Sequence, residues 1–138
     1  MKDVAYIALG SNLGQREVFL AQARRAIAAL GKTRVLGQTD AEETAPIGPI
    51  AQGPYLNQMI AIETELSPHD LLAELKRIEA DAGRVRTTRW GPRTLDLDIV
   101  LFENQTVREP GLTIPHPELS NRDFWLRELT ALRSSRVG

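Results

Sequence analysis

Two aspartates at alternate positions carry the clearest chemical signal in the sequence. Asp96 and Asp98 stand in a run with the apolar alternation of a β-strand, Leu-Asp-Leu-Asp-Ile-Val-Leu. Because strand side chains alternate between two faces, both carboxylates share one face at a spacing of about 6.6 Å. The apolar residues of the run share the other face: Leu95, Leu97, Ile99 and Leu101. Paired carboxylates favour a cation, and Mg²⁺ is typically held by one or two of them plus substrate phosphates. Solvated strand faces show the same pattern, so the pair alone leaves both interpretations open.

The ten residues that precede this strand supply positive charge. Residues 84–93 contain four arginines and no acidic residue: Arg84, Arg86, Arg89 and Arg93. The planar guanidinium group matches phosphate oxygens in a bidentate way. A purely structural cluster would also contain interleaved glutamates for salt bridges. Carboxylates for a metal beside arginines for phosphate predict a phosphoryl-transfer site. Trp90, in the same segment, is expected to contact substrate rather than to anchor the core.

Two other segments present side chains that suit a nucleotide or a flat ring. His116 stands between two prolines, whose rings stiffen the backbone, and its imidazole can hold a phosphate oxygen or serve a structural role. Tyr55 and Asn57 share a face of a predicted strand and offer an aromatic plate beside an amide, although packing alone also explains them. Residues 10–14 (Gly-Ser-Asn-Leu-Gly) are interpreted as a turn before the first helix rather than as an anion cradle.

The elements that position these residues follow one order along the chain. The periodicity predicts strands over residues 4–9, 34–44 (the weakest), 55–64 and 95–102, and helices over residues 19–30, 67–83 and about 121–132. Residues 44–54, with three prolines and two glycines, and residues 84–92 are predicted loops. The order β-α-β-β-α-β with a C-terminal helix is typical of an α+β, ferredoxin-like sandwich, an antiparallel sheet with two helices on one face.

Composition removes several classes of function. The 138 residues have room for one domain, over residues 1–138. With 17 basic and 18 acidic side chains the net charge is −1, so no global field attracts nucleic acid or membrane. The absence of cysteine excludes disulfides, thiolate catalysis and cysteine-ligated zinc. No lysine follows a Walker-type glycine loop, and no apolar run has the length of a signal or transmembrane segment, so a cytoplasmic protein is expected.

Together these residues resemble the 6-hydroxymethyl-7,8-dihydropterin pyrophosphokinase family of folate biosynthesis. The similarity extends from Val4 to about Leu129 and is strongest over residues 89–99, Arg-Trp-Gly-Pro-Arg-Thr-Leu-Asp-Leu-Asp-Ile. Residues 8–14, 55–57, 83–86 and 115–116 support it. At Pro117 the chain departs from the family, in which an aromatic residue is frequent. The resemblance implies transfer of pyrophosphate from ATP to the pterin hydroxymethyl group, with release of AMP.

The resemblance also implies roles for individual residues. Asp96 and Asp98 would hold two Mg²⁺ ions that bridge the triphosphate and, with Arg84 and Arg93, would form the catalytic group. Tyr55 and Phe124 would sandwich the pterin. The residues implied to bind ATP are Arg84, Arg86, Arg93, Ile99, Thr113, His116 and Arg122. The residues implied to bind the pterin are Thr44, Ile47, Tyr55, Asn57, Trp90 and Phe124. The expected partners are these small molecules alone, without nucleic acid or membrane, and a monomer is expected.

Other classes of protein share parts of this pattern. A ferredoxin-like RNA-binding module needs exposed aromatic residues on its first and third strands, and residues 4–9 offer only Tyr6. A regulatory or other non-catalytic ligand-binding domain does not need paired aspartates beside arginines. The main alternative is a two-metal nucleotidyl-transfer enzyme on the same scaffold, such as a nucleotide cyclase or a polymerase palm. Release of AMP only when the pterin is present separates the kinase from a cyclase, which releases pyrophosphate from ATP alone.

Overall fold

The computed structural model describes residues 2–45, 53–82 and 95–137, so most of the two predicted loops lies outside the described residues. The strands are β1 (Asp3–Ser11), β2 (Thr33–Gln38), β3 (Glu42–Thr44), β4 (Tyr55–Thr64), β5 (Asp96–Phe102), β6 (Val107–Glu109) and β7 (Leu112–Ile114). The helices are α1 (Arg16–Ala28), α2 (Pro68–Asp81) and α3 (Asp123–Val137), the last preceded by a 3₁₀ turn at Leu119–Asn121. None of the helices in these ranges is both long enough and apolar enough to cross a membrane.

The main sheet is antiparallel, as predicted, in the order β2-β4-β1-β5, with β3 also paired to β4. The central pair, β1 and β4, runs in register from Asp3 opposite Thr64 to Ser11 opposite Leu56. Strand β5 pairs with β1 and forms one edge of the sheet. Strands β6 and β7 form a separate hairpin within the segment that the sequence predicts as a long turn. Its strands are three residues each, too short to show an alternation that identifies them.

Helix α2 and strand β4 begin and end close to the predicted residues, 67–83 and 55–64. Helix α2 begins after Ser67, whose hydroxyl accepts the Asp70 backbone N–H at 3.1 Å, and Pro68 occupies the first helical position.

The predicted strand over residues 34–44 is wrong in detail, since β2 and β3 are separate. Between them, the Thr39 hydroxyl accepts the Met59 backbone N–H at 3.0 Å and so replaces a backbone carbonyl in the ladder.

The two central strands of the sheet, β1 and β4, are buried on both faces. Helices α1 and α2 cover one face, where the core includes Ile7, Leu9, Leu20, Ile27, Leu71 and Leu75. Helix α3 covers part of the other, where the second core includes Tyr6, Ala8, Met59, Trp125, Leu129 and Leu132. Because β1 contributes to both cores, it forms a nearly continuous buried run. The sequence predicts the third helix but not the face on which it packs.

A register shift in β5 corrects one part of the predicted alternation. Ile7 pairs with Ile99 and Tyr6 with Leu101, so Val100 is an extra residue on β5. Up to Ile99 the apolar side chains enter the α1–α2 core as predicted, but beyond the bulge Phe102 takes the next place there. The prediction for Leu101 is therefore wrong: it packs against the α3 core. The bulge follows Asp98, so both aspartates keep their predicted common face.

A buried carboxyl group lies between α3 and the β2–β3 connection. Glu128 is 5% exposed, and its Oε2 accepts the Thr39 hydroxyl at 3.3 Å. Its Oε1 is buried without a hydrogen-bond partner among the described residues. Burial and the nearby carboxylate of Glu42 raise the pKa of Glu128 to about 7, against the opposing effects of the Thr39 hydrogen bond and of Arg127.

This group predicts a pH-dependent stability. Because the Glu128 pKa is higher in the folded protein than its usual 4.5, its contribution to the free energy of unfolding falls as pH rises from about 4.5 to about 7. Glu128→Gln removes the charge at nearly constant shape. We expect it to stabilise the protein by about 1–3 kcal/mol at pH 8 and to be nearly neutral at pH 4.5. Chemical unfolding of both proteins across this range checks the expectation, which a pH-independent difference would contradict.

Candidate functional site

The aspartate pair lies on β5, at the edge of the sheet that the described residues form. Asp96 pairs with Gly10 and Asp98 with Ala8 across β1. Because Ala8 belongs to the core beneath α3, the two carboxylates lie on the α3 face, opposite the buried Leu97 and Ile99. Both aspartates are half-buried rather than fully solvated. The structure thus places two partly desolvated carboxylates side by side.

His116 faces this pair and is held by its own backbone neighbours. The His116 N–H donates to the Val100 carbonyl at 2.9 Å, and the Glu118 N–H donates to His116 Nδ1 at 3.0 Å. With Nδ1 accepting, the proton of the neutral ring is on Nε2, which lies 3.6 Å from Asp98 Oδ1. The ring also meets Trp125 edge-on, with centroids 4.9 Å apart. The imidazole therefore presents a donor to the carboxylate face.

A cleft of about 360 Å³ opens beside β5. Among the residues that line it are five predicted site residues: Asp96, Asp98, Ile99, Thr113 and His116. Helix α2 supplies part of the opposite wall, including Lys76 and Glu79. This volume lies in the range of small-molecule binding sites. The cleft combines acidic groups, an imidazole and an apolar wall, as a phosphorylated ligand with a flat base requires.

A second group of predicted residues lies two strands away, on β3 and β4. Tyr55 pairs with Thr44, and Asn57 is buried and donates through Nδ2 to the Thr44 hydroxyl. Asn57 also pairs with Gly10, which pairs in turn with Asp96. At the usual spacing of adjacent strands, this row places Asn57 about 10 Å from Asp96 at the backbone. We call the row Asn57–Gly10–Asp96 the cross-strand row.

Gly10 corrects the interpretation of residues 10–14. Strand β1 continues through Ser11, so Gly10 lies inside the sheet rather than in a turn. A Cβ at this position would lie 3.2 Å from Asn57 Oδ1 and 3.3 Å from Tyr55 Cδ1. Glycine therefore lets the tyrosine ring and the amide approach the strand closely. The sequence analysis missed this residue. Two small residues at alternate positions, Ala8 and Gly10, could have indicated a strand face that other groups approach closely.

The start of α3 joins the site through an aromatic contact that the sequence analysis also missed. Trp125, 2% exposed, packs edge-on against His116, and the Arg122 guanidinium lies 4.3 Å from the centre of its ring. Phe124, a predicted pterin contact, lies 6.2 Å from Trp125 between ring centroids. Trp125 thereby connects His116 with Arg122 and Phe124 from one buried position.

One pair of aspartates, Asp96 and Asp98, supplies oxygen donors beside the cleft. In residues 2–45, 53–82 and 95–137 no three Asp, Glu, His or Cys side chains form a metal-binding cluster. A pair of hard oxygen donors next to an open cleft nevertheless fits Mg²⁺, which usually keeps water and takes phosphate oxygens as its other ligands. The remaining predicted residues lie outside the described residues: Ile47, Arg84, Arg86, Trp90 and Arg93.

Comparison with known proteins gives consistent matches over nearly the whole chain. The family model described as 7,8-dihydro-6-hydroxymethylpterin-pyrophosphokinase matches residues 6–134. A 2-amino-4-hydroxy-6-hydroxymethyldihydropteridine pyrophosphokinase from Haemophilus influenzae is 47% identical over 133 residues, which cover 96% of this chain and 83% of that protein. The protein of the same name from Bacillus subtilis is 41% identical over 132 residues, or 96% and 79% of the two chains. That from Pseudomonas aeruginosa is 42% identical over 127 residues, or 92% and 78%.

Proposed function

The chain belongs to the 7,8-dihydro-6-hydroxymethylpterin-pyrophosphokinase family, and from this membership we propose how its residues divide between two substrates. The protein is an ATP-dependent kinase of folate biosynthesis that transfers pyrophosphate to the hydroxymethyl group of the dihydropterin. In the proposal, the cleft beside β5 binds ATP and the end of β4 binds the pterin. The observation that supports this division is the cross-strand row, in which only Gly10 lies between Asn57 and Asp96.

On the nucleotide side, the adenine lies against Ile99 and Thr113, which come from neighbouring strands and line the same cleft. His116 Nε2 carries a proton that faces the Asp98 carboxylate and donates to a phosphate oxygen when ATP is bound. Arg122 adds positive charge at the start of α3. Arg84, Arg86 and Arg93 are assigned to phosphate contacts from the sequence resemblance.

Asp96 and Asp98 are the residues that would hold two Mg²⁺ ions in this proposal. When bound there, Mg²⁺ neutralises charge on the triphosphate and on the leaving AMP oxygen. The chain itself positions the ligands: β5 presents both carboxylates on one face, and His116, which packs against Trp125, lies 3.6 Å from Asp98. Catalysis therefore consists mainly of alignment and charge stabilisation rather than of proton transfer by a side chain.

On the pterin side, Tyr55 offers its ring and Asn57 its amide. The hydrogen bond from Asn57 Nδ2 to Thr44 fixes the amide orientation and leaves Oδ1 beside Gly10, where it accepts an N–H from the pterin edge. Phe124, at the start of α3, provides the second aromatic plate. With the ring held there, the hydroxymethyl group extends along the cross-strand row toward the phosphates.

The observed architecture supports the ferredoxin-like arrangement as part of the proposal. Taking β1, β2, β4 and β5 as the four strands, the connections are β-α-β-β-α-β, with α1 and α2 on the same face. The order β2-β4-β1-β5 places the first and third of these strands at the centre. The short β3 and the hairpin of β6 and β7 are additions to that plan.

Replacement of Asn57 tests the division of substrates. We expect Asn57→Leu to weaken pterin binding about tenfold, since one hydrogen bond to the ring edge is lost, while binding of a non-hydrolysable ATP analogue with Mg²⁺ stays within twofold. Isothermal titration calorimetry with each ligand is the measurement. Asn104→Leu is the matched control, because that amide bonds to Asp3 at the other end of β1. Equal loss of both ligands in Asn57→Leu would contradict the division.

A further inference from the structure

A buried carboxyl group contacts the backbone between the two aspartates. Glu79, on α2, is 7% exposed, and its Oε2 accepts the Leu97 N–H at 2.7 Å. Leu97 is the residue between Asp96 and Asp98, and its side chain is in the core beneath α2. The carboxyl group therefore contacts the segment that carries both aspartates through its backbone.

This contact matters because β5 is an edge strand. Backbone groups on its side away from β1 have no strand partner among the described strands and need other partners. Two such contacts are present: Glu79 accepts the Leu97 N–H, and His116 donates its N–H to the Val100 carbonyl at 2.9 Å. They bracket Asp98 along the strand. The edge of β5 that faces away from β1 is thereby held on both sides of Asp98.

We infer that Glu79 is a positioning residue for the metal site: it acts through Leu97 to hold Asp96 and Asp98 at the spacing that Mg²⁺ with ATP requires. The inference rests on the proposed metal role of the two aspartates. Misplacement of reacting groups by about 1 Å is enough to lower a rate about a hundredfold. Loss of the hydrogen bond that holds the backbone at Leu97 should therefore lower the rate. A merely structural link between α2 and β5 would affect stability and leave the Mg²⁺ dependence unchanged.

The test compares variants that differ in the acceptor. Glu79→Leu removes it at similar size, whereas Glu79→Gln keeps an acceptor oxygen for the Leu97 N–H. We expect Glu79→Leu to raise the Mg²⁺ concentration for half-maximal activity at least tenfold and to weaken Mg²⁺ binding with the non-hydrolysable ATP analogue by a similar factor in calorimetry. Glu79→Gln should stay within threefold of the wild type in both. An unchanged Mg²⁺ dependence in Glu79→Leu would overturn the inference.

Two controls separate this outcome from others. Asp3→Leu also removes a buried carboxyl group that accepts backbone N–H groups, from Val4 at 2.8 Å and Asn104 at 3.3 Å, but at the far end of β1. It should lower the melting temperature without moving the Mg²⁺ dependence, and an equal shift in both variants would overturn the inference. Asp98→Asn in the same assays tests the proposed function: if it leaves Mg²⁺ binding unchanged, the metal site itself is wrong.

Should Glu79→Leu fail to fold, Glu79→Asp serves in its place. This variant keeps the carboxyl group but shortens its reach by one carbon, so the hydrogen bond to Leu97 is lengthened or lost. We expect a shift of the Mg²⁺ dependence in the same direction, of at least threefold, in a protein whose circular dichroism matches the wild type. A folded Glu79→Asp with wild-type Mg²⁺ dependence would overturn the inference equally.

Discussion

Asp96→Asn and Asp98→Asn should each lower the rate of AMP formation more than a hundredfold, while the metal-free protein unfolds at the wild-type temperature or slightly above. A hundredfold loss corresponds to about 2.7 kcal/mol of transition-state stabilisation, and asparagine is a far weaker Mg²⁺ ligand than a carboxylate. The fold should tolerate the change because it is nearly isosteric and removes repulsion between the two half-buried charges. Asp98 loses its 3.6 Å contact with His116, but partly exposed pairs of this kind contribute little to stability.

The measurement joins thermal unfolding without divalent ions to steady-state AMP formation with Mg²⁺. Asp40→Asn is the matched control, since Asp40 is exposed on the connection between β2 and β3 and takes no part in the proposed site. It should leave both quantities unchanged. If either site variant unfolds far below the wild type and yet retains its Mg²⁺ dependence, the aspartates are structural and the metal assignment is wrong.

Gly10→Val should lower kcat/KM for the pterin about a hundredfold, the second largest effect expected. A Cβ at Gly10 already lies 3.2 Å from Asn57 Oδ1 and 3.3 Å from Tyr55 Cδ1, closer than ordinary contacts. Alanine requires shifts of a few tenths of an ångström and should cost less than tenfold. Valine adds two methyl groups in the same crowded place, so it displaces the Tyr55 ring and the Asn57 amide that we propose bind the pterin. Overpacking of this kind typically also costs about 1–3 kcal/mol of stability.

A second glycine provides the control for this series. Gly37 lies in β2, and among the described residues a Cβ there would meet only Leu132 Cδ2, at an ordinary 3.7 Å. Gly37→Ala should therefore leave kcat/KM for the pterin unchanged. For each glycine variant, kcat/KM for the pterin and the affinity for the ATP analogue are measured separately. A Gly10→Val protein that is folded and binds the pterin as tightly as the wild type would show that the close approach at Gly10 has no functional importance.

Local signals explain the elements that the sequence predicts well. The start of α2 is determined by Ser67 and Pro68 within one turn, and the predicted strand over residues 55–64 coincides with β4. The structure departs from the predicted elements where a residue distant in the sequence changes the strand pairing. The Thr39 hydroxyl replaces a ladder hydrogen bond to Met59 and separates β2 from β3, and the bulge at Val100 moves Leu101 to the other core. Neither effect is visible within a window of a few residues.

Residue types and their alternation in the sequence by themselves determined which groups are candidates for the chemistry: a carboxylate pair on one strand face, an imidazole on a stiff segment, and a tyrosine and an amide on another strand. Tertiary structure alone decided how these groups lie relative to one another. The cross-strand row puts Gly10 between Asn57 and Asp96 on adjacent strands, and Glu79 contacts Leu97, 18 residues away in the sequence. It also placed α3 on the face that carries the two aspartates, where Trp125 packs against His116. The physical reason is that strand register and helix packing are set by non-local burial and hydrogen bonding, which no local pattern encodes.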